Sequence, residues 1–388
     1  MTRNSNQTIG GTMAELVVKN NGNREFSNSP LRVEADGIKD TALLSAGKEN
    51  FYGQAETEDG KKYMVFIPPS IRAGEEVKYG IKESGKRPPV VKVTDRKDEE
   101  TVDVFINEQF FASYNYSGKN VRPFLYPVIG PEGKCVLRKP ASEGNPEKMD
   151  HKHHRGIWVA HGDANGTDNW SEEPGHGGTA HRKFVELASG PVFGRIHSAG
   201  DWLSNKGKKI LEEERIITVY NLPEECRIID QRIILRASEG EVAFRDTKES
   251  GLLSIRLNPV MEEEKGGIMV NSYGGRTEAE CWGKRAEWCD YCGDIEGVRC
   301  GVAVFDNPKN LRFPTWWHIR GYGLYTANFF GLSDFTGDKK ISGTYILPAG
   351  QEMRLYHRIY IHRGYTEEST VAERYLNFIF PPKVEVKK

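Results

Sequence analysis

Four of the chain's ten histidines fall within eleven residues, at His151, His153, His154 and His161. Imidazole can give or take a proton near neutral pH, and in its neutral form it also binds metal ions. The run Asp150-His151-Lys152-His153-His154-Arg155-Gly156 leads into Ile157-Trp158-Val159-Ala160-His161, then into Gly162-Asp163-Ala164-Asn165-Gly166. Asp168, Asn169 and Trp170 follow at once. Two chemistries suit this segment. One is metal-free acid/base catalysis, with a histidine as proton donor and a carboxylate as partner. The other is a divalent metal held by His151, His153 and His161. On an extended chain His151 and His153 share a face and form a workable ligand pair, whereas His154 points the opposite way. No spacing here reproduces a strong zinc signature, and a solvated His-rich loop is the bland alternative.

Two further clusters carry reactive types. Cys281, Cys289, Cys292 and Cys300 surround Trp282, Lys284, Arg285, Glu287, Trp288, Asp290 and Tyr291. A single CxxC with lone flanking cysteines is not the paired arrangement of a zinc ribbon. Pro314-Thr315-Trp316-Trp317-His318-Ile319-Arg320 precedes Tyr322, Tyr325 and Asn328. Aromatic faces suit the C–H side of a sugar, while Arg, His, Asp and Asn meet its hydroxyls, so the combination points to a polyhydroxylated ligand. We assign His153, His154, His161, Asp163 and His318 as acid, base or ligand candidates. Arg155, Asn165, Asp290 and Asn328 would bind hydroxyl or carboxylate groups, and Trp158, Trp170 and Trp288 would stack. His357 falls on the apolar side of its strand and reads as a core histidine.

The elements that must position these groups are strands. The chain has 41 glycines, 19 prolines and many short alternating runs, with no long period-3.6 pattern. Alternation marks residues 101–107, 215–220, 227–235, 302–305 and, most clearly, 353–362. Residues 157–161 read as a buried strand that delivers His161 at its end. One short helix is expected around residues 368–378. The polar, Pro-containing stretch 84–100 reads as a linker. The fold class is therefore all-β: a small Ig-like β-sandwich over residues 1–90, then a large sandwich over residues 101–383.

With 54 basic and 55 acidic residues and no basic block, the electrostatic footprint of a nucleic-acid binder is missing. No run approaches the roughly 18–20 apolar residues of a membrane helix, and the first residues lack a secretory apolar core. A cytoplasmic protein is expected as the sequence stands, or a periplasmic one if the N-terminus has been trimmed. Six cysteines do not make a disulfide scaffold.

Four motifs in order, YPVIGPEGK (126–134), DHKHHRGIWVAHGDANGTDNW (150–170), WGKRAEWCDY (282–291) and PTWWHIRGYGLYTANFFG (314–331), resemble the bacterial PmoA-like family labelled methane oxygenase. The resemblance covers roughly residues 101–365, although that family commonly has Pro near Lys152 and does not call for Cys289 and Cys292. It implies a supersandwich similar to galactose mutarotase-like domains and a place in sugar catabolism. Such folds host hydrolases, lyases and epimerases, which leaves glycoside cleavage, β-elimination and anomeric epimerisation open. The rivals are a non-catalytic carbohydrate-binding protein and the metal-dependent oxidoreductase of the label. A membrane subunit is not expected.

Overall fold

A computed structural model describes residues 14–141 and 150–387, and divides the chain into two compact units. The first comprises Met1–Pro88 together with Phe380–Lys388. It is a seven-stranded antiparallel sheet in the order Leu31–Glu34, Lys61–Phe66, Glu49–Glu58, Thr41–Ala46, Glu76–Glu83, Glu15–Lys19, Lys383–Lys387. The two edge strands approach each other, so the sheet curls around one apolar face. Leu16, Val18, Leu44, Met64 and Phe66 fill that face, as period-2 alternation requires. The C-terminal strand pairs with Glu15–Lys19 along its whole length. The small unit thus takes its last strand from beyond residues 1–90.

The second unit, Pro89–Ile379, holds two eight-stranded antiparallel sheets. The first runs Trp316–Ile319, Leu324–Asn328, Ser250–Arg256, Ile157–His161, Phe124–Val128, Gln109–Asn115, Thr101–Ile106, Val91–Arg96. The second runs Gly178–Ala188, Phe193–Leu203, Lys209–Tyr220, Cys226–Arg236, Glu352–Arg363, Val298–Asp306, Trp288–Ile295, Ile268–Asn271. One continuous apolar core joins them, with Val102, Val104, Ile157, Val159 and Ile255 from the first sheet against Ile217, Ile233, Leu355, Ile359 and Ile361 from the second. This is the all-β sandwich architecture that the alternation implies. The helix Val371–Ile379 is the longest among the described residues, and no helix there is long and apolar enough to cross a membrane.

The stretch 84–100 is only in part a connector. Val91–Arg96 is the edge strand of the first large sheet and pairs with Thr101–Ile106, so the charged run after it is a hairpin turn. The edge position explains the difference: a strand paired on one side keeps charged side chains in water and resembles a linker in sequence. The N-terminal segment read for an export signal lies outside the described residues.

Candidate active site

Cross-strand register organises the site. Asn115 faces Phe124, Phe124 faces Trp158, Trp158 faces Ser254, Ser254 faces Thr326, and Thr326 faces His318. These residues alternate with the core-facing Leu125, Ile157, Val159, Ile255 and Tyr325, so the row runs across the face turned away from the main core. A second apolar cluster of Phe124, Trp158, Ala160, Trp170 and Leu324 sits on that face. It anchors the loop segments around residues 150–156 and 167–175. Burying the two indoles, about 200 Å² each, supplies gross driving force on the order of 5 kcal/mol apiece.

Polar staples fix both segments. Arg122, fully buried, donates from Nη2 to the carbonyls of Asn169 (3.0 Å) and Trp170 (3.0 Å). Its Nη1 reaches the His153 carbonyl at 3.4 Å. Asp168 accepts from the backbone N–H groups of Trp170 (2.8 Å) and Ser171 (2.9 Å). Arg155 makes two 2.8 Å bonds to Glu172, which also lies 3.6 Å from Arg122. Burial opposes the Glu172 charge, but Arg155 and Arg122 outweigh it and hold the carboxyl low. Arg155 is therefore a structural partner of Glu172 and not a free substrate ligand.

The centre of the site is a stack of rings. His151 lies parallel to Tyr322 (5.1 Å between centroids, 9° between planes) and to His154 (4.8 Å, 9°). Tyr322 and His154 are themselves 6.5 Å apart at 10°, and His154 in turn lies on Trp158 at 5.3 Å. His153 stands edge-on to His154 at 4.4 Å. His151 Nδ1 is 2.8 Å from Asp150 Oδ2, and the His151 backbone adopts φ 46°, a left-handed conformation that non-glycine residues seldom hold without cause. Asp150 Oδ1 accepts from Arg138 Nη1 at 2.7 Å and from Arg256 Nη2 at 3.2 Å. Burial works against the Asp150 charge; the His151 hydrogen bond, Arg256 and Arg138 outweigh it and keep the carboxyl below its usual range.

Exposure separates the histidines. Asp150 and His151 keep 52% and 42% of their side-chain surface open, so this pair faces solvent. His154 is wholly buried; burial first, then His153 and Arg256, push its pKa far down. Burial and Arg122 lower His153 to about 4. His318, at the far end of the row, accepts at Nδ1 from Trp282 Nε1 (2.8 Å), and burial, then Lys248 and Arg320, lower it to about 3. Three strand spacings, about 14 Å, separate it from Trp158.

Of the remaining candidates only Trp158 and Trp170 border this site. His161 ends its strand on the opposite, core side, wedged between Phe244 (5.4 Å) and Phe330 (4.9 Å) with Nδ1 2.8 Å from Ser250 Oγ. Burial lowers its pKa to about 3. The metal set His151, His153 and His161 does not assemble, because strand alternation sends His161 through the sheet. Asp163 caps its turn by accepting from Gly166 N (2.8 Å), and Asn165 clasps Ala243 N (2.7 Å) and the Glu241 carbonyl (3.0 Å). Asn328 spends its amide on the carbonyls of Thr247 and Lys248 and on the N–H groups of Phe330 and Gly331. Asp290 and Trp288 belong to the second large sheet; Asp290 is buried against His362 and Thr366. Trp158 and Trp170 are buried at 0% and 2% exposure, so they support the floor and offer no open stacking face. His357 lies buried against Phe329 at 5.9 Å, among the core-facing residues of its strand.

Arg122, Arg138, Arg256 and Glu172 were not singled out from the sequence, and Asp150 and Tyr322 stood only as members of their clusters, with no role of their own. Arg256 did carry a signal: a lone charge ends the strand SGLLSIR, which is otherwise free of charge and buried throughout.

No curated protein matches the chain. Among solved structures, a protein in glycosyl hydrolase family 38 from Enterococcus faecalis aligns at 8% identity and TM-score 0.38, covering 97% of this chain and 47% of its own. An alpha-mannosidase from Enterococcus faecalis V583 aligns at 9% identity and TM-score 0.41, covering 97% of this chain and 46% of its own. The chain therefore spans about half the length of these structures. The family model that matches, over residues 101–376, does not carry the PmoA-like label suggested by the four motifs: the chain belongs to a family of unknown function, DUF6807.

Proposed function

We propose that this protein is an enzyme acting on a glycoside or modified sugar, with His151 as the proton-transfer group and Asp150 as its orienting carboxylate. The observation that carries the reading is the 2.8 Å contact of Asp150 Oδ2 with His151 Nδ1 in an open site. A carboxylate at Nδ1 fixes the Nδ1–H tautomer and leaves Nε2 as the base. It also stabilises the imidazolium formed when Nε2 takes a proton. Arg138 and Arg256 keep Asp150 ionised for that task. The half-buried Tyr322 and the guanidinium of Arg320, 5.5 Å from its ring and held at Nε by Glu278 Oε1 at 2.8 Å, add an aromatic surface and Nη donors suited to a polyhydroxylated ligand.

Glycoside cleavage, β-elimination and epimerisation all need such a proton acceptor, and the dyad serves each. The test is to incubate the full chain with a panel of plain and oxidised (keto) glycosides and follow products by NMR. His151→Ala should lower turnover of the substrate found by roughly 10²–10⁴, the usual worth of a general base. If sugars bind and none is altered, the chain is a binding protein. If the variant turns over normally, the proton moves elsewhere.

A further inference from the structure

On the second large sheet, strand Trp288–Ile295 sends Cys289 and Tyr291 into the core, and alternation turns Asp290 and Cys292 to the opposite face. The two cysteines of the CxxC thus point apart and cannot chelate together. Two strands away, His362 lies in the same cross-strand row as Cys292, with Gly301 between them. A Cβ on Gly301 would come within 2.1 Å of His362 Cε1, so the imidazole lies flat over the glycine and reaches back toward Asp290 and Cys292. His362 Nε2 is 3.2 Å from Asp290 Oδ1, and Cys292 Sγ is 3.2 Å from Asp290 Oδ2. Thr366 Oγ1 lies 2.7 Å from Asp290 Oδ2 and 3.8 Å from Cys292 Sγ. Asp290, Cys292 and His362 are at most 1% exposed. Among the described residues they form the one group of His, Cys, Asp and Glu whose ligand atoms all lie within 4.8 Å of one another.

We propose that Asp290, Cys292 and His362 hold a structural zinc-class divalent ion. Tetrahedral zinc with bonds of roughly 2.0–2.3 Å keeps its ligand atoms about 3.3–3.8 Å apart. Here His362 and Cys292 each lie 3.2 Å from an Asp290 oxygen, all three ligand atoms lie within 4.8 Å of one another, and the fourth position would fall to a water. A mixed sulfur, nitrogen and oxygen set favours zinc over magnesium or calcium, which take oxygen alone. Thiolate and carboxylate together neutralise a dication, so a buried site carries no net charge. His362 Nδ1 lies 3.4 Å from the Arg363 carbonyl, the outer contact that leaves Nε2 for a metal. Thr366, in the segment leading into helix Val371–Ile379, donates to the ligand Asp290 and so ties that segment to the site. This site is independent of the Asp150–His151 dyad.

The competing arrangement is a closed hydrogen-bond network with Asp290 accepting from all three neighbours, and the test separates the two. Untagged full-length protein from zinc-supplemented medium should carry about one zinc per chain by elemental analysis. Exchanged into cobalt(II), it should show thiolate-to-cobalt charge transfer in the near ultraviolet and tetrahedral visible bands. Cys292→Ser keeps a hydroxyl donor to Asp290 and so preserves the network. It should abolish the charge-transfer band and weaken zinc by at least about tenfold, a loss that even outer-contact changes produce. Metal-free protein that takes up neither ion on refolding overturns the proposal, as does an unchanged cobalt spectrum in Cys292→Ser.

Discussion

Arg256 Nη1 lies 3.3 Å from Nδ1 of His154, and because a guanidinium only donates, this contact fixes the proton of the neutral imidazole on Nε2. His154 is thereby a hydrogen-bond donor toward its surroundings and cannot act as a base through either nitrogen. Among the described residues its Nε2 has no hydrogen-bond acceptor, and neither do the buried indole nitrogens of Trp158 and Trp170 around it. Arg256 also bonds Asp150, so one guanidinium silences the buried histidine and charges the carboxylate behind the open one. The division of labour between His154 and His151 follows from that bridge.

Mild acid should unfold the protein. Burial lowers His161, His318 and His357 to about 3 and His153 to about 4, against about 6.5 in an unfolded chain. Between these values the unfolded state binds more protons, so stability is fully present above pH 6.5 and falls as pH drops below it. Each such histidine adds up to about 1.4 kcal/mol per pH unit. Asp306 runs the other way: burial raises it to about 7, so the folded state holds its proton through the same window and offsets one histidine. The expected result is a urea midpoint that declines steeply from pH 6.5 to 5. A flat profile there would contradict neutral burial of these rings.

The strands were legible because their cause is local. The alternating runs 101–107, 227–235 and 353–362 fall on the strands Thr101–Ile106, Cys226–Arg236 and Glu352–Arg363. The buried run 157–161 was equally plain, but a fully buried strand hides which side chain takes which face. Trp158 and His161 were therefore grouped, although they lie on opposite sides of the sheet. Arg256 and Tyr322 come from segments more than a hundred residues away and reach the site through the pairing of the strands beside them, whereas Arg138, 12 residues before Asp150, carried no pattern to mark it. The small unit's last strand was missed for the same reason: KVEVK alternates, but its partner is Glu15–Lys19, more than 360 residues earlier.

Replacing His161 should damage the fold and spare the chemistry. His161→Ala removes a ring packed between Phe244 and Phe330 and strands the Ser250 hydroxyl. The expected cost is about 2–5 kcal/mol, the range for a large buried side chain cut to alanine. Turnover per folded molecule should stay within a few fold of the parent. A stable variant with turnover reduced a hundredfold would return His161 to the catalytic set.

Trypsin should nick the exposed connector after Lys86, since the bond after Arg87 is shielded by Pro88. The two fragments should then remain together on gel filtration and separate only in denaturant. The reason is the strand Lys383–Lys387, covalently part of the larger fragment yet paired within the sheet of the smaller. Release of a free N-terminal fragment under native conditions would show that this strand does not hold the small unit.

Asp150→Asn separates charge from shape at the dyad. Asparagine fills the same space and its Oδ1 can still accept from His151 Nδ1, but it brings no charge to stabilise an imidazolium. If its amide turns the other way, it donates to Nδ1 and forces the wrong tautomer, as when a triad aspartate is replaced by asparagine. Either route should lower turnover by roughly 10²–10⁴ while substrate dissociation constants hold, because Tyr322 and Arg320 remain. Arg138 and Arg256 lose their shared counter-charge at the same time, so the urea midpoint should fall as well. Asp150→Ala then serves as the control: it takes away the same charge and the hydrogen bond to His151 besides. If Asp150→Asn and Asp150→Ala lose stability alike and both turn over at the parental rate, Asp150 only balances the two arginines and His151 works without it.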